Sequence, residues 1–220
     1  MKKRRLITIV LLFVTAGGMS HLSILGQTDS ASFKEYVRDI KSGDSPATVM
    51  AAGESVNKSF IPVLRSVLHK KNYPNKGEAE IALAKLGDTA ELQEFYCAIA
   101  VGNETEVDNS IGSLRYIGGA FSFRIIKDVL GEQLASGPMK PDPQAPSDVL
   151  MGPPTSRAVQ SFQQLLPKAQ VQENHRDYKP WLEYLDQHWS ELSKLEPTGE
   201  GVEFSLGACN HGKKRSRTSN

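Results

Sequence analysis

The stretch AKLGDTAELQEF, Ala84 to Phe95, sets a Gly-Asp pair, Gly87 and Asp88, between two runs of helix-favouring residues. As a single helix it carries a flaw in its middle. As two helices it carries a turn: glycine accepts the left-handed backbone that ends a helix, and Asp88 or Thr89 supplies a capping oxygen for the next one. Two other stretches align on a central glycine, TVMAAGESVNKSFIPVLRSVL from Thr48 around Gly53 and SIGSLRYIGGAFSFRIIKDVL from Ser110 around Gly118. The three glycines are 34 and 31 residues apart, the scale of a two-helix unit. Beyond each one, apolar residues resume at helical spacing: Ile61, Leu64, Val67 and Leu68; Ala90, Leu92, Phe95 and Ala98; Ile125, Ile126, Val129 and Leu130. A small-residue-rich helix, a glycine turn and an apolar helix recur together.

Outward from these turns the periodicity stays helical. Phe33, Tyr36, Val37 and Ile40 predict a first short helix that stops at SGDS, Ser42 to Ser45. Further helices are expected over Pro46 to Ala52, Ser59 to Lys70, Gly77 to Leu86, Thr89 to Val101, Glu106 to Ile117, Ala120 to Leu134, Thr155 to Leu166 and Tyr178 to Leu195. In the last, Trp181, Leu185, Trp189 and Leu192 form one apolar stripe, and Pro180 suits a first-turn position. No comparable series of strands is present, so the expected class is all-α. The segment from Ser136 to Pro154 holds six of the twelve prolines and reads as a loop, because proline denies helix continuation. Glu196 to Asn220, rich in Gly, Ser, Thr and basic residues, reads as a flexible tail that does not join the core.

The opening residues have the order of an export signal: Lys2, Lys3, Arg4 and Arg5, an apolar run from Leu6 to Ala16, then small residues. Residues 1–27 are therefore expected to be a leader, cleaved after Ser20 or nearer Gln27, with residues 32–195 as the helical domain. The alternative is an uncleaved membrane anchor over residues 6–26. Either way the expected location is outside the cytoplasm, periplasmic or secreted. Four of the 26 basic side chains belong to this leader and four more, Lys213, Lys214, Arg215 and Arg217, to the tail. The remaining 18 face 25 acidic ones, a mildly acidic body with no electrostatic case for nucleic acid. A membrane contact is expected only if the leader is uncleaved.

The sequence offers no catalytic constellation. His21, His69, His175, His188 and His211 lack paired metal spacing, and Cys209 with His211 falls short of the three or four protein ligands of a zinc site. No nucleophile elbow and no phosphate-cradling glycine loop occurs. Neither metal nor cofactor is expected, and the chain reads as non-catalytic. Whether Cys97 and Cys209 pair is left open, since one lies in an expected helix and the other in an expected tail. Asn57-Lys-Ser59 and Asn103-Glu-Thr105 match the glycosylation triplet.

The three glycine-centred stretches resemble HEAT repeats of the bacterial, phycobilisome-lyase-like type. The match is fullest in AEIALAKLGDTAELQEF, where Ala79, Ala82, Leu83, Leu86, Gly87, Asp88, Ala90, Leu92 and Phe95 fit the small-large-Gly-Asp-apolar pattern, and Pro62 stands where such helices often carry proline. The usual Arg near the start of the second helix is missing, Gly119 follows Gly118, and the proline-rich segment is an insertion. The resemblance implies a right-handed α-α superhelix of about three to four helical pairs. It also implies that Gly77–Leu86, Glu106–Ile117 and Thr155–Leu166 line one concave face, with Glu78, Lys85, Asn109, Arg115, Arg157 and Gln160 as solvent-facing contacts for a protein partner. An exported repeat scaffold for protein–protein interaction is the function it implies first. An enzyme or enzyme accessory, with Cys97 as the first thiol to consider, and a membrane-tethered structural protein are the alternatives.

Overall fold

The break in AKLGDTAELQEF is a joint. In the computed structural model Asp88 N–H donates to Leu83 O and Gly87 N–H to Ala84 O, both at 3.0 Å, with Gly87 at φ 78°. These are the two bonds of the Schellman motif, and they satisfy carbonyls that a helix end otherwise leaves bare. The Asp88 carboxylate then accepts from Ala90 N–H and Glu91 N–H and opens the next helix. Its other oxygen takes Arg65 Nε at 2.7 Å, so one buried side chain ends a turn, starts a helix and holds a third element.

The structure describes residues 30–131, 153–169, 171 and 178–210. Among them the fold is all helix, with no strand: α1 (Ser30–Ser42), α2 (Pro46–Glu54), α3 (Ile61–Leu68), α4 (Lys76–Lys85), α5 (Thr89–Val101), α6 (Glu104–Ile117), α7 (Gly119–Leu130), α8 (Pro153–Leu165), α9 (Lys179–Leu192) and the short α10 (Leu206–Asn210). The expected helix from Ser59 is divided, a 3-10 turn over Lys58–Phe60 preceding α3. Pro153 and Pro154, assigned to the loop by composition, form the first turn of α8, where a missing N–H costs nothing. The rest of the expected loop, the leader, and the tail beyond Asn210 lie outside the described residues.

Caps explain the boundaries. Ser45 accepts from Thr48 N–H at the start of α2, Asn57 from Ser59 N–H at the 3-10 turn, and Asn103 with Glu106 forms a capping box on α6. The two glycosylation triplets thus place their asparagines in capping positions. Of the three aligned glycines, Gly87 and Gly118 end helices at positive φ, but Gly53 lies inside α2 without it. Its lack of a side chain serves packing instead, because a Cβ there would sit 2.8 Å from Ala82 Cα. The left-handed residue of that turn is Val56, at φ 52° and 76% exposed, an unfavourable conformation for a β-branched side chain.

Helices pack within the pairs α3 with α4, α5 with α6 and α7 with α8, and along the series α2, α4, α6, α8, each even-numbered helix against the next. Two apolar clusters result. Ile40, Val49, Phe60, Leu64, Val67 and Leu83 belong to the first, Leu92, Ile111, Phe121, Phe162, Trp181 and Leu185 to the second. Burying each such side chain is worth about 1.5–3 kcal/mol. The helix α4 serves both, sending Leu83 into the first cluster and Ala84 into the second.

The largest departure from expectation is the segment after α9. Residues 196–210, expected as part of a flexible tail, dock on the helices. Ala120 N–H donates to Leu195 O at 2.8 Å and Phe121 N–H to Pro197 O at 3.0 Å. Gly118 has no side chain with which to cap α7, and these carbonyls take over that duty. A Cβ on Gly119 would lie 2.5 Å from Glu196 C, so the second glycine of the Gly-Gly pair makes room for the returning chain. Cys97 of α5 and Cys209 of α10 form a disulfide across 112 residues.

Candidate functional site

The helices α4, α6 and α8 are neighbours in the order expected for one face, and the six expected contact residues lie on them. Two of them, Lys85 and Arg157, are paired with acids of other helices. Arg157 on α8 grips Asp108 on α6 through two bonds, Nε to Oδ1 at 3.1 Å and Nη2 to Oδ2 at 2.8 Å, and donates from Nη1 to Gln160 Oε1 at 2.8 Å. This paired geometry gives strong charge-assisted bonds. The bond from Arg157 holds the Asp108 carboxyl below its ordinary range. Arg157 passes over Gly112 on the way, at a distance that would leave a Cβ there in ordinary contact with its Nε, 3.6 Å away.

Lys85 pairs with Glu54 of α2 at 3.5 Å. Lys85 and Arg157, with side chains only 31% and 36% exposed, are thus half-buried links between helices rather than the free, solvent-facing groups that the resemblance implies. Asn109 and Gln160 are exposed. Arg115 stacks its guanidinium 4.6 Å from the Tyr116 ring centroid, which leaves Tyr116 44% exposed beside it, while Arg115 Nε is buried without a hydrogen-bond partner. Glu78 is in the first turn of α4, where an anion complements the helix N-terminus.

A second group of acids sits where α4 meets α5. The Glu91 carboxyl is pushed up to about 8, chiefly by burial and then by the charges of Glu80, Asp88 and Glu94, with Lys76 opposing. Burial also raises Glu80. Among the described residues no group of three or more His, Cys, Asp or Glu side chains is placed to hold a metal ion. Cys209, half of the potential ligand pair with His211, is committed to the disulfide, as is Cys97.

No protein-family model, curated protein or solved structure matches the chain.

Two clefts flank the returning segment. One, of about 550 Å³, is lined by Arg124, Trp189, Thr198, Glu200 and Phe204, and the other, of about 860 Å³, by Arg65, Thr89, Gln93, Glu203 and Ser205. The strap residues among them were read as tail because the segment has no helical apolar period and carries Pro197, Gly199, Gly201 and Gly207. The available signal was the alternation Val202, Phe204, Leu206, just before the second of only two cysteines.

Proposed function

We propose that the protein is an exported, non-catalytic scaffold, a short right-handed α-α superhelix of the HEAT type that binds another protein through the face of α4, α6 and α8. The observation that carries this reading is the succession of even-numbered helices, α2 on α4, α4 on α6 and α6 on α8, each with its own odd-numbered partner from α3 onward. Stacked pairs bury the apolar face that no pair buries alone, and they leave an extended surface for recognition. Arg115, Tyr116, Asn109 and Gln160 are the residues of that surface that would meet a partner, with the Arg157–Asp108 pair as the support that fixes α6 against α8.

Export is supported by two independent features. The leader-like start is one, and the disulfide between Cys97 and Cys209 is the other, since such bonds persist in oxidising compartments. Among the described residues no helix is long and apolar enough to cross a membrane. Cys97, the first thiol an enzyme reading would use, is held in the disulfide with Cys209.

The test is cross-linking and co-purification from the extracytoplasmic fraction, using wild-type protein, an Arg115→Glu/Tyr116→Ala/Gln160→Lys variant and a Lys58→Glu control. A specific partner that is recovered by wild type and control and lost by the triple variant is the expected result. Recovery unchanged by the triple variant removes this face as the interface.

A further inference from the structure

The C-terminal strap, residues 196–210, lies across α5 and α7 as a bound peptide lies on a receptor. One side chain reads its backbone: Gln93 Nε2 donates to Glu203 O at 3.1 Å, and Glu203 N–H donates to Gln93 Oε1 at 2.8 Å. Such a reciprocal pair recognises an extended main chain whatever its side chains. Phe204 supplies the anchor. Its ring meets Tyr96 edge-on at 5.3 Å and Phe121 at 6.1 Å, and the Arg124 guanidinium lies 4.2 Å over it. Val202 is buried two positions before, and Gly199 passes so close to Phe121 that a Cβ would sit 3.0 Å from its ring.

Besides these mid-strap contacts, and a bond from Thr89 Oγ1 to Glu200 O at 3.5 Å, the strap is pinned at both ends. Leu195 O and Pro197 O fix its beginning to the start of α7, and the disulfide fixes its end to α5. Between the pins Gly199 and Gly201 hold φ 74° and 82°, and open clefts lie on either side.

We propose that the α5–α7 face is a binding surface for an extended peptide segment carrying an aromatic residue, that Val202–Phe204 occupies it in cis, and that reduction of Cys97–Cys209 releases this occupant. A protein dithiol is the reductant. One of its thiolates attacks a disulfide sulfur and displaces the other as a thiolate, and its second thiol then resolves the mixed disulfide. The reductant leaves as a disulfide, and Cys97 and Cys209 gain two electrons and two protons as thiols. Held at both ends, the strap excludes a competitor. Held at one end, its effective concentration falls toward the millimolar range of a flexible tether, against which a peptide supplied in trans competes. This surface is distinct from the face of α4, α6 and α8 and stands whether or not that face binds a partner.

The experiment uses the full-length protein and a fluorescent peptide of the strap's own sequence, TGEGVEFSL, residues 198–206. Binding is measured to oxidised protein, to reduced protein and to a Cys209→Ser/Phe204→Ala variant, with circular dichroism to verify equal helix content. Reduced protein is expected to bind at least about tenfold more tightly than oxidised protein and the double variant more tightly again, and a peptide with its Phe replaced by Ala to lose about tenfold. Amide exchange over residues 202–208 is expected to rise on reduction by a larger factor than in α5 or α7. Equal peptide binding in both redox states, or a rise in exchange shared equally by strap and helices, overturns the proposal, since the disulfide is then a staple of the whole fold and not a latch.

Discussion

The region from α1 to α4 and the region from α5 to α10 reach the same depth of burial by different means. In the first, chain ends are tied by nearby side chains: Tyr73 Oη donates to Ile40 O at 2.6 Å, Asn75 Nδ2 to Gly43 O at 2.8 Å and Lys70 Nζ to Lys41 O at 2.7 Å. All three reach back about one helical pair to satisfy bare carbonyls at the end of α1. In the second, ties span the region. Gln93 meets Glu203 across 110 residues, and a covalent bond closes 112. Ordering the later region therefore closes a far longer loop, and the disulfide lowers that entropy cost by restricting the unfolded chain. A stack of helical pairs can rely on near-neighbour ties, whereas a strap that returns from the far end needs a lock.

The contrast can be broken most directly at its cores. Phe60→Ala empties the first cluster of a side chain only 2% exposed, and is expected to cost about 3–5 kcal/mol in urea unfolding, by the same amount in oxidised and reduced protein. A redox-dependent cost would mean that the two regions share the lock. Cys209→Ser is expected to cost about 2–5 kcal/mol, with the increase in amide exchange greatest in the strap and least in α1 to α3. Equal loosening of both regions would erase the difference between them.

The smallest effect tests the border between them, where Glu91 of α5 faces Glu80 of α4. Because burial raises the folded carboxyl to about 8 from an ordinary 4.5, the native state keeps a proton that the unfolded chain releases. Stability is full below about pH 4.5, falls as pH rises toward 8 and then levels. Glu91→Gln removes that fall: it is expected to be neutral at pH 4 and to stabilise by about 1–3 kcal/mol at pH 8.5, read from urea midpoints at the two pH values. A pH-independent effect would place the cause in packing rather than in the proton.

Much of the helix map was legible because it rests on local chemistry. Gly87 and Asp88 announce their joint in two letters, and the stripe Trp181, Leu185, Trp189, Leu192 shows its helix through periodicity. Gly53 misled in detail, since a glycine needed for close approach to Ala82 looks the same in sequence as one needed for a turn. The strap was hidden because its order comes from Tyr96, Phe121 and Cys97, all more than 70 residues away in the chain. Of the contacts that the resemblance implied, Asn109 and Gln160 are exposed, whereas Lys85 and Arg157 are half-buried. The pairing of the last two was hidden because their partners, Glu54 and Asp108, belong to other helices.

The double allegiance of α4 has a consequence for how the chain can vary. Leu83 and Ala84 are consecutive, yet they enter different clusters. One residue inserted or deleted upstream within this helix turns the residues beyond it by about 100° and offers each cluster the side chain meant for the other. Because both clusters read this one helix, the count of residues in α4 is fixed.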